Sequence, residues 1–162
     1  MPKKPSFMGV ISMVATGLIK KISTDHPAIQ LRPEGNFLWL PRESAIAYDP
    51  KGDAVYLLHE LGHALLGHDS YTRDIELLSI ERDAWTYAAQ HLSDTYAIPI
   101  TPETIEDALD SYREWLHARS TCPSCHLTGV QSASQAYRCV SCGTTWRVNE
   151  AKGRQLRRYP TK

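Results

Sequence analysis

The hydrophobic pattern at the N-terminal end predicts a helix packed on the core of the protein. The apolar run from Phe7 to Ile19 is too short to cross a bilayer, which needs about 20 residues. Lys20 and Lys21 follow the run, where a signal peptide would have a small-residue cleavage site. We therefore expect a docked amphipathic helix and no membrane partner. Five apolar positions recur at helical spacing: Phe7, Ile11, Val14, Leu18 and Ile22.

Turn residues and short apolar runs replace the helical pattern after position 30. Pro33-Glu34-Gly35 is a turn sequence. Phe37–Leu40 and Ala45–Tyr48 predict two short strands on either side of Pro41. Asp53 then follows a polar loop and is a suitable N-cap for the next helix.

Three helices are predicted between this strand region and the first cysteine. The first, Ala54–His68, is apolar nearly all round, which is typical of a buried helix, and Gly67 is a stop signal. The second runs from about Tyr71 to Leu92. The third begins at Thr101-Pro102-Glu103, which supplies an N-cap, an N1 proline and an early acid, and it ends near His117. Strands followed by helices indicate an α+β fold.

The formal net charge is zero, but the charges are unevenly distributed. Thirteen acidic and three basic residues lie between Asp53 and Glu114, whereas eight basic residues and one acid lie between Arg119 and Lys162. The middle of the chain is therefore acidic and its C-terminal end is basic.

The sequence His59-Glu60-Leu61-Gly62-His63 predicts a catalytic zinc site. Two histidines at i and i+4 share one face of a helix and can occupy two corners of a zinc tetrahedron. Glu60 lies about 100° further round the helix, so that it can activate a zinc-bound water without being a ligand. A chance occurrence is the alternative. However, Glu60 is the one carboxylate on an apolar helix, and burying a lone carboxylate is costly unless a cation compensates it.

A third zinc ligand is expected on the following helix, and Glu81 fits best. It falls within the apolar stripe of that helix, whereas Asp83 lies on a polar face and Glu76 near the surface. The alternative is that Glu81 forms a buried salt bridge to Arg82 or Arg73. The stripe contains Leu77, Leu78, Ala84, Ala88 and Leu92.

His68 is not expected to be a ligand. It lies five residues after His63, about 140° round a continuous helix, so it cannot share the face of His63. The sequence instead predicts a histidine at the helix end that faces the C-terminal dipole.

These residues resemble the ImmA/IrrE-type metallopeptidases. HELGHALLGH followed by ERDAWTYAA is similar to the family signature H-E-x-G-H-x-x-L-G-H and then E-x-E-A-x-x-F-A, over about Tyr48 to Leu92. The resemblance implies that His59, His63 and Glu81 hold the metal and that Glu60 is catalytic. It also implies a small zincin-like fold and cleavage of intracellular, often DNA-binding, regulators. The chain departs from the pattern at Asp83, where Glu is usual, and at Trp85, where a small polar residue is usual.

The cysteines predict a second, structural zinc site. Two C-x-x-C pairs separated by 13 residues are typical of a zinc ribbon: Cys122, Cys125, Cys139 and Cys142. Gly143 fits the tight turn after the second pair. Disulfides are the alternative, but no cysteine lies outside the two pairs, which favours a cytoplasmic protein. The residues expected to form a small core around the zinc are Val130, Tyr137 and Trp146.

The ribbon has two interpretations. Its basic surroundings allow weak contact with nucleic acid through phosphates. Alternatively, the ribbon caps the preceding helix or holds a protein partner, and the basic tail is a solvated run of charge. A zincin with a ribbon also resembles the SprT-like proteases that act on DNA-bound proteins, but their third ligand is a histidine, and the spacing of His91 does not fit.

Together these features predict a zinc-dependent endopeptidase with one catalytic and one structural Zn²⁺ and a protein or peptide substrate. The expected organisation is a zincin-like domain over 1–118, a zinc ribbon over 119–149 and a basic tail over 150–162. The main alternative is a non-catalytic regulator that binds nucleic acid or protein. A deaminase would need H-x-E with P-C-x-x-C on the same zinc, and residue 121, before Cys122, is Thr.

Overall fold

A computed structural model describes residues 13–149 and 156–161 of the chain. The chain divides into two compact units. The first comprises the described residues up to Asp69 together with Asp83–Pro102, and the second comprises Ser70–Arg82 together with the described residues from Glu103 on.

A three-stranded sheet lies in the first unit. Its strands are β1 (Gln30–Pro33), β2 (Leu38–Leu40) and β3 (Ala45–Tyr48), in the order β1-β3-β2. β3 pairs in parallel with β1 and antiparallel with β2, so β2 is an edge strand. The strands predicted on either side of Pro41 are confirmed, and a short 3-10 turn, Pro41–Glu43, connects them.

Helix α2 (Ala54–Leu66) forms the centre of the first unit. Its Leu57, Leu58 and Leu61 are fully buried in the main hydrophobic core. Asp53 caps the helix, because its side chain accepts a hydrogen bond from the backbone N–H of Val55. The predicted buried helix is therefore confirmed, although it ends two residues early.

The N-terminal helix α1 spans Thr16–Asp25. Ile22 and Val14 are buried, as the helical spacing predicts, but Val14 precedes the first turn of the helix. Phe7 and Ile11 lie outside the described residues.

The long helix predicted after α2 is divided by a change of winding. α3 spans Asp74–Tyr87, a π-helical turn spans Ala88–Leu92, and α4 spans Ser93–Tyr96. The π turn accommodates more residues per turn than an α-helix. Ala88, Leu92 and Tyr96, at intervals of four, all remain buried in the core.

The second unit contains a four-stranded antiparallel sheet that carries the cysteines. Its strands are β4 (Val130–Ala133), β5 (Ala136–Arg138), β6 (Thr145–Val148) and β7 (Arg158–Thr161), in chain order. The sequence shows no periodicity in the basic tail, yet β7 belongs to this tail and adds the last strand beside β6.

The small core of this sheet differs from the predicted one at one position. Tyr137 and Trp146 are buried as predicted and stack with ring centroids 5.6 Å apart. Val130 is 53% exposed, so the prediction that it belongs to the core is wrong, and Val148 is buried instead. The reason is register: Val130 pairs with exposed Arg138, on the face opposite to Tyr137.

A buried polar network joins the helical part of the second unit to this sheet. Asp74, at the start of α3, accepts hydrogen bonds from Arg119 Nε at 2.6 Å and from the Tyr137 hydroxyl. Arg119 lies near the end of α5 (Pro102–Ser120) and is 2% exposed. Burial, followed by the hydrogen bond to Asp74, raises the pKa of Tyr137. This network explains why the start of α3 and all but the first residue of α5 belong to the same unit as the sheet.

The α+β class predicted from the sequence is confirmed by these helices and the two small sheets. Within residues 13–149 and 156–161, every helix lacks the length or the apolar character needed to cross a membrane.

Candidate metal centres

The two histidines of the H-E-x-x-H sequence lie side by side on α2. His59 is 4% and His63 is 6% exposed, and their Nε2 atoms are 3.0 Å apart. Two buried imidazoles one helical turn apart therefore direct the same ring nitrogen towards a common point.

Glu81 of α3 completes the group predicted from the sequence. One ligand atom from each of His59, His63 and Glu81 lies within 4.8 Å of the other two. Glu81 is 4% exposed, whereas Asp83 and Glu76 are exposed. The helical phase deduced from the apolar stripe is thus correct.

Glu76 has a different role, at the beginning of α3. Its carboxylate accepts hydrogen bonds from the backbone N–H groups of Thr72 and Arg73, at 2.9 and 3.1 Å. These bonds lower its pKa, the one from Thr72 most. Glu76 therefore caps the N-terminal end of α3, where backbone N–H groups have no partner within the helix.

Gly62 permits the close approach of the two helices that carry the ligands. A Cβ atom at this position would lie 2.7 Å from the backbone oxygen of Ala84, a separation that side chains do not tolerate. Ala84 follows Glu81 by three residues, close to one helical turn. The glycine between the two histidines therefore lets α3 pack directly against the backbone of α2, near the position of Glu81.

The donor set fits a zinc ion. Zinc binds imidazole nitrogen at about 2.0–2.1 Å with tetrahedral angles, which places two nitrogen ligands about 3.3–3.4 Å apart. The observed separation of 3.0 Å between the two Nε2 atoms is close to this value. Two histidines and one carboxylate also leave the fourth position open, as catalytic zinc sites require.

A hydrogen bond from the three-stranded sheet holds the side chain of Glu60. The backbone N–H of Trp39, in edge strand β2, donates to Glu60 Oε2 at 2.7 Å. This contact between residues far apart in sequence has no local signal, and sequence reasoning did not identify Trp39.

A second aromatic residue supports His59. The ring of Trp85 stacks on the imidazole, with centroids 4.2 Å apart and planes inclined by 20°. Trp85 is 1% exposed. The ring of Tyr56 packs edge-on against the ring of Trp85, with centroids 5.8 Å apart. Trp85 is one of the two departures from the ImmA/IrrE pattern, and here the large ring restricts the orientation of a candidate ligand.

His68 lies in a place that the sequence analysis did not predict. α2 ends at Leu66, and Gly67 adopts a left-handed conformation with φ of 68°. The chain turns back, so that the N–H of His68 bonds to the carbonyl of His63 and that of Gly67 to the carbonyl of Ala64. The angle of 140° assumed a helix that continued through Gly67. The prediction that His68 lies away from the face of His63 is therefore wrong, since His68 Nδ1 is 2.9 Å from His63 Nδ1. As predicted, His68 is not a member of the ligand group, which consists of His59, His63 and Glu81.

The four cysteines form a second group. Their sulfur atoms lie within 4.8 Å of one another, with separations of 3.6 Å between Cys122 and Cys142 and 3.5 Å between Cys125 and Cys139. A tetrahedral zinc with Zn–S bonds of about 2.3 Å needs sulfur atoms about 3.8 Å apart. The four cysteines are free thiols rather than disulfides.

The two C-x-x-C turns share one backbone geometry. His126 N–H bonds to the Cys122 carbonyl and Gly143 N–H to the Cys139 carbonyl, both at 3.0 Å. Both His126 and Gly143 have positive φ, which confirms the turn predicted at Gly143. Hydrogen bonds with the side chain and backbone of Thr144 lower the pKa of Cys142 to about 6, which favours the thiolate that binds metals.

Comparisons of the chain with known protein families, with curated proteins and with solved structures found no match. The chemistry of the two groups of ligands therefore rests on the geometry described above.

Proposed function

We propose that this chain is a zinc-dependent endopeptidase that hydrolyses peptide bonds of an intracellular protein. The observation that carries the proposal is that ligand atoms of His59, His63 and Glu81 lie within 4.8 Å of one another. The two histidines lie on the same helix, α2, as Glu60. A structural zinc site has four protein ligands, whereas this group contains three.

Zinc and Glu60 have separate roles in the proposed reaction. When bound, zinc would polarise the peptide carbonyl and lower the pKa of water in the site. Glu60 accepts the proton that the attacking water loses and delivers it to the nitrogen of the departing amine. The hydrogen bond from the Trp39 backbone to Oε2 holds the carboxylate in place for this transfer. Water thereby supplies OH to the new carboxyl end and H to the new amino end.

The resemblance to ImmA/IrrE-type metallopeptidases indicates which substrates to test first. Members of that family cleave intracellular regulators, many of which bind DNA. The SprT-like alternative is less favoured, because the ligand group contains Glu81, whereas His91 is exposed.

Removal of the metal tests the proposal. We expect chelation to abolish cleavage of a peptide library or a candidate regulator, and stoichiometric zinc to restore it, since the three ligands create the active site. His59→Ala is the control, because it removes one ligand and leaves the cysteines intact. Cleavage that survives both chelation and His59→Ala would contradict the proposal.

A second candidate function, contact with single-stranded nucleic acid, is favoured by one face of the four-stranded sheet. Residues that pair across neighbouring strands lie on the same face of a sheet. Tyr137 and Trp146 form such a pair and are buried on the inner face of this sheet. Their neighbours along the strands form the outer face, defined by Val130, Ala136, Arg138, Thr145, Arg147, Tyr159 and Thr161. This face combines two exposed arginines with an exposed tyrosine, and residues 121–149 and 156–161 contain no acid. Arginines attract phosphates, and an aromatic ring on a sheet can stack on an unpaired base.

Binding of a labelled single-stranded oligonucleotide to the full chain tests this second function. We expect weak binding that falls with salt. Replacing Arg138 and Arg147 by Gln should reduce the slope of log affinity against log salt by about 1.4, at about 0.7 per phosphate contact. Tyr159→Ala should weaken binding by about 1–3 kcal/mol and Tyr159→Phe should not. Arg42→Gln, an exposed arginine of the first unit, is the matched control. Equal losses in all these variants, or no binding at low salt, would exclude the outer face as a nucleic-acid surface.

A further inference from the structure

The imidazole of His63 is in contact with a histidine on each side. Its Nε2 atom lies 3.0 Å from His59 Nε2, and its Nδ1 atom lies 2.9 Å from His68 Nδ1. The rings of His63 and His68 are inclined by 66°, with centroids 5.1 Å apart. One nitrogen of His63 therefore faces the candidate metal position and the other faces His68.

The proton on His63 decides whether this residue can bind a metal. A neutral imidazole carries one proton, so one nitrogen donates and the other has a free lone pair. For Nε2 to be a ligand, the proton must be on Nδ1. His63 Nδ1–H then donates to His68 Nδ1, which must be an acceptor, so His68 carries its own proton on Nε2.

We propose that His68 is a positioning residue that holds His63 in the tautomer with the proton on Nδ1 and thereby prepares Nε2 to bind the metal. Such support for a ligating histidine is expected in metal sites, where the second ring nitrogen donates to a neighbouring group. The inference depends on the metal site of the proposed function, but it does not depend on peptide hydrolysis.

Two features of the fold bring His68 to this position. The left-handed Gly67 ends α2 and reverses the chain, and the N–H of His68 bonds to the carbonyl of His63 at 3.0 Å. The indole N–H of Trp39 donates to the His68 carbonyl at 2.8 Å and attaches the residue to the sheet. Trp39 therefore contributes to the placement of both Glu60, through its backbone, and His68, through its side chain.

Substitution of His68 tests the proposal through metal affinity. We expect His68→Ala to weaken zinc binding about 10- to 100-fold at the site that His59→Ala eliminates. His68→Asn should recover most of the affinity, because its amide oxygen can take the place of Nδ1 as the acceptor. Affinity is measured by competition with a chromophoric chelator, and the site with four cysteines serves as the internal reference.

Gly67 provides an independent test with a matched control. Gly67 and Gly35 both have positive φ, at 68° and 75°, and a Cβ atom at either would meet nothing within 4 Å. Alanine at either position should therefore destabilise the backbone to a similar extent. Only Gly67→Ala should also weaken metal binding, because only Gly67 directs His68 towards His63. If His68→Ala does not fold, this comparison decides the question.

The tautomer itself can be observed. In the metal-free protein at about pH 8, above the ordinary pKa of histidine, ¹⁵N NMR should show His63 protonated on Nδ1 in the wild type and in His68→Asn. A mixture of tautomers is expected in His68→Ala. Unchanged tautomer and metal affinity in both His68→Ala and Gly67→Ala would overturn the role of His68. A His59→Ala variant that still binds two metal ions would instead overturn the metal site on which the inference depends.

Discussion

We expect Glu60→Gln to lower the rate of peptide hydrolysis by roughly 10²–10⁴-fold while the zinc content remains unchanged. Glutamine keeps the shape of the side chain and can still accept the hydrogen bond from the Trp39 backbone, so the helix and the sheet are undisturbed. The amide cannot take the proton of the attacking water, and general-base catalysis fails. Steady-state rates and metal analysis of the same preparation measure both quantities.

His59→Ala should differ from Glu60→Gln in kind, since it removes a ligand and releases the metal from this site. A Glu60→Gln protein without zinc at the site would make Glu60 a ligand or a structural residue. Full activity of this variant against a verified substrate would show that the proposed mechanism is incorrect. If no substrate can be found for the wild type, the non-catalytic regulator would move ahead of the peptidase.

Replacing both Cys122 and Cys139 by Ser should reduce the metal content from two zinc ions to one per chain. Each cysteine pair would lose one sulfur ligand, and the binding of a structural zinc contributes about 10–16 kcal/mol to the folding of such small modules. We therefore expect the NMR signals of the four-stranded sheet to collapse. The signals of α2 should persist, because α2 lies in the other compact unit. Its metal should remain bound, because neither substitution changes His59, His63 or Glu81.

Ser141→Ala is the matched control for the cysteine variant, as it alters an exposed residue of the same C-x-x-C turn without removing a ligand. It should retain both metal ions. Loss of both ions from the double cysteine variant, or a single ion in the wild type, would argue against two separate sites.

Much of the first candidate site could be predicted because its signals are local. The spacing of His59 and His63 follows from the period of the α-helix, and the same period distinguishes buried Glu81 from exposed Asp83 on α3. The cysteine pairs are equally local, since each C-x-x-C forms one turn. In these cases local periodicity identifies the residues that can be ligands.

Other features depended on information that helical or strand periodicity does not contain. Gly67 signals the end of α2, whereas the angle of 140° for His68 holds only for a helix that continues past it. The left-handed turn that glycine permits returns His68 to His63. The exposure of Val130 is not evident from its hydrophobicity, because strand register determines which face of the sheet it lies on. The bond between Trp39 and Glu60 joins residues that only the folded sheet brings together.

The candidate ligands His63 and Glu81 are far apart along the chain, so a bound metal would act as a cross-link. A zinc ion held by His59, His63 and Glu81 would join α2 to α3 and close the segment 64–80 into a loop. Covalent closure of a loop of about 15 residues stabilises a protein by about 3 kcal/mol, because it restricts the unfolded chain. The described cysteines form no disulfide. The zinc ion would therefore close this loop in place of a disulfide, and its release would open the loop again. The cellular supply of zinc would then control how firmly these two helices are joined, as well as whether the site is active.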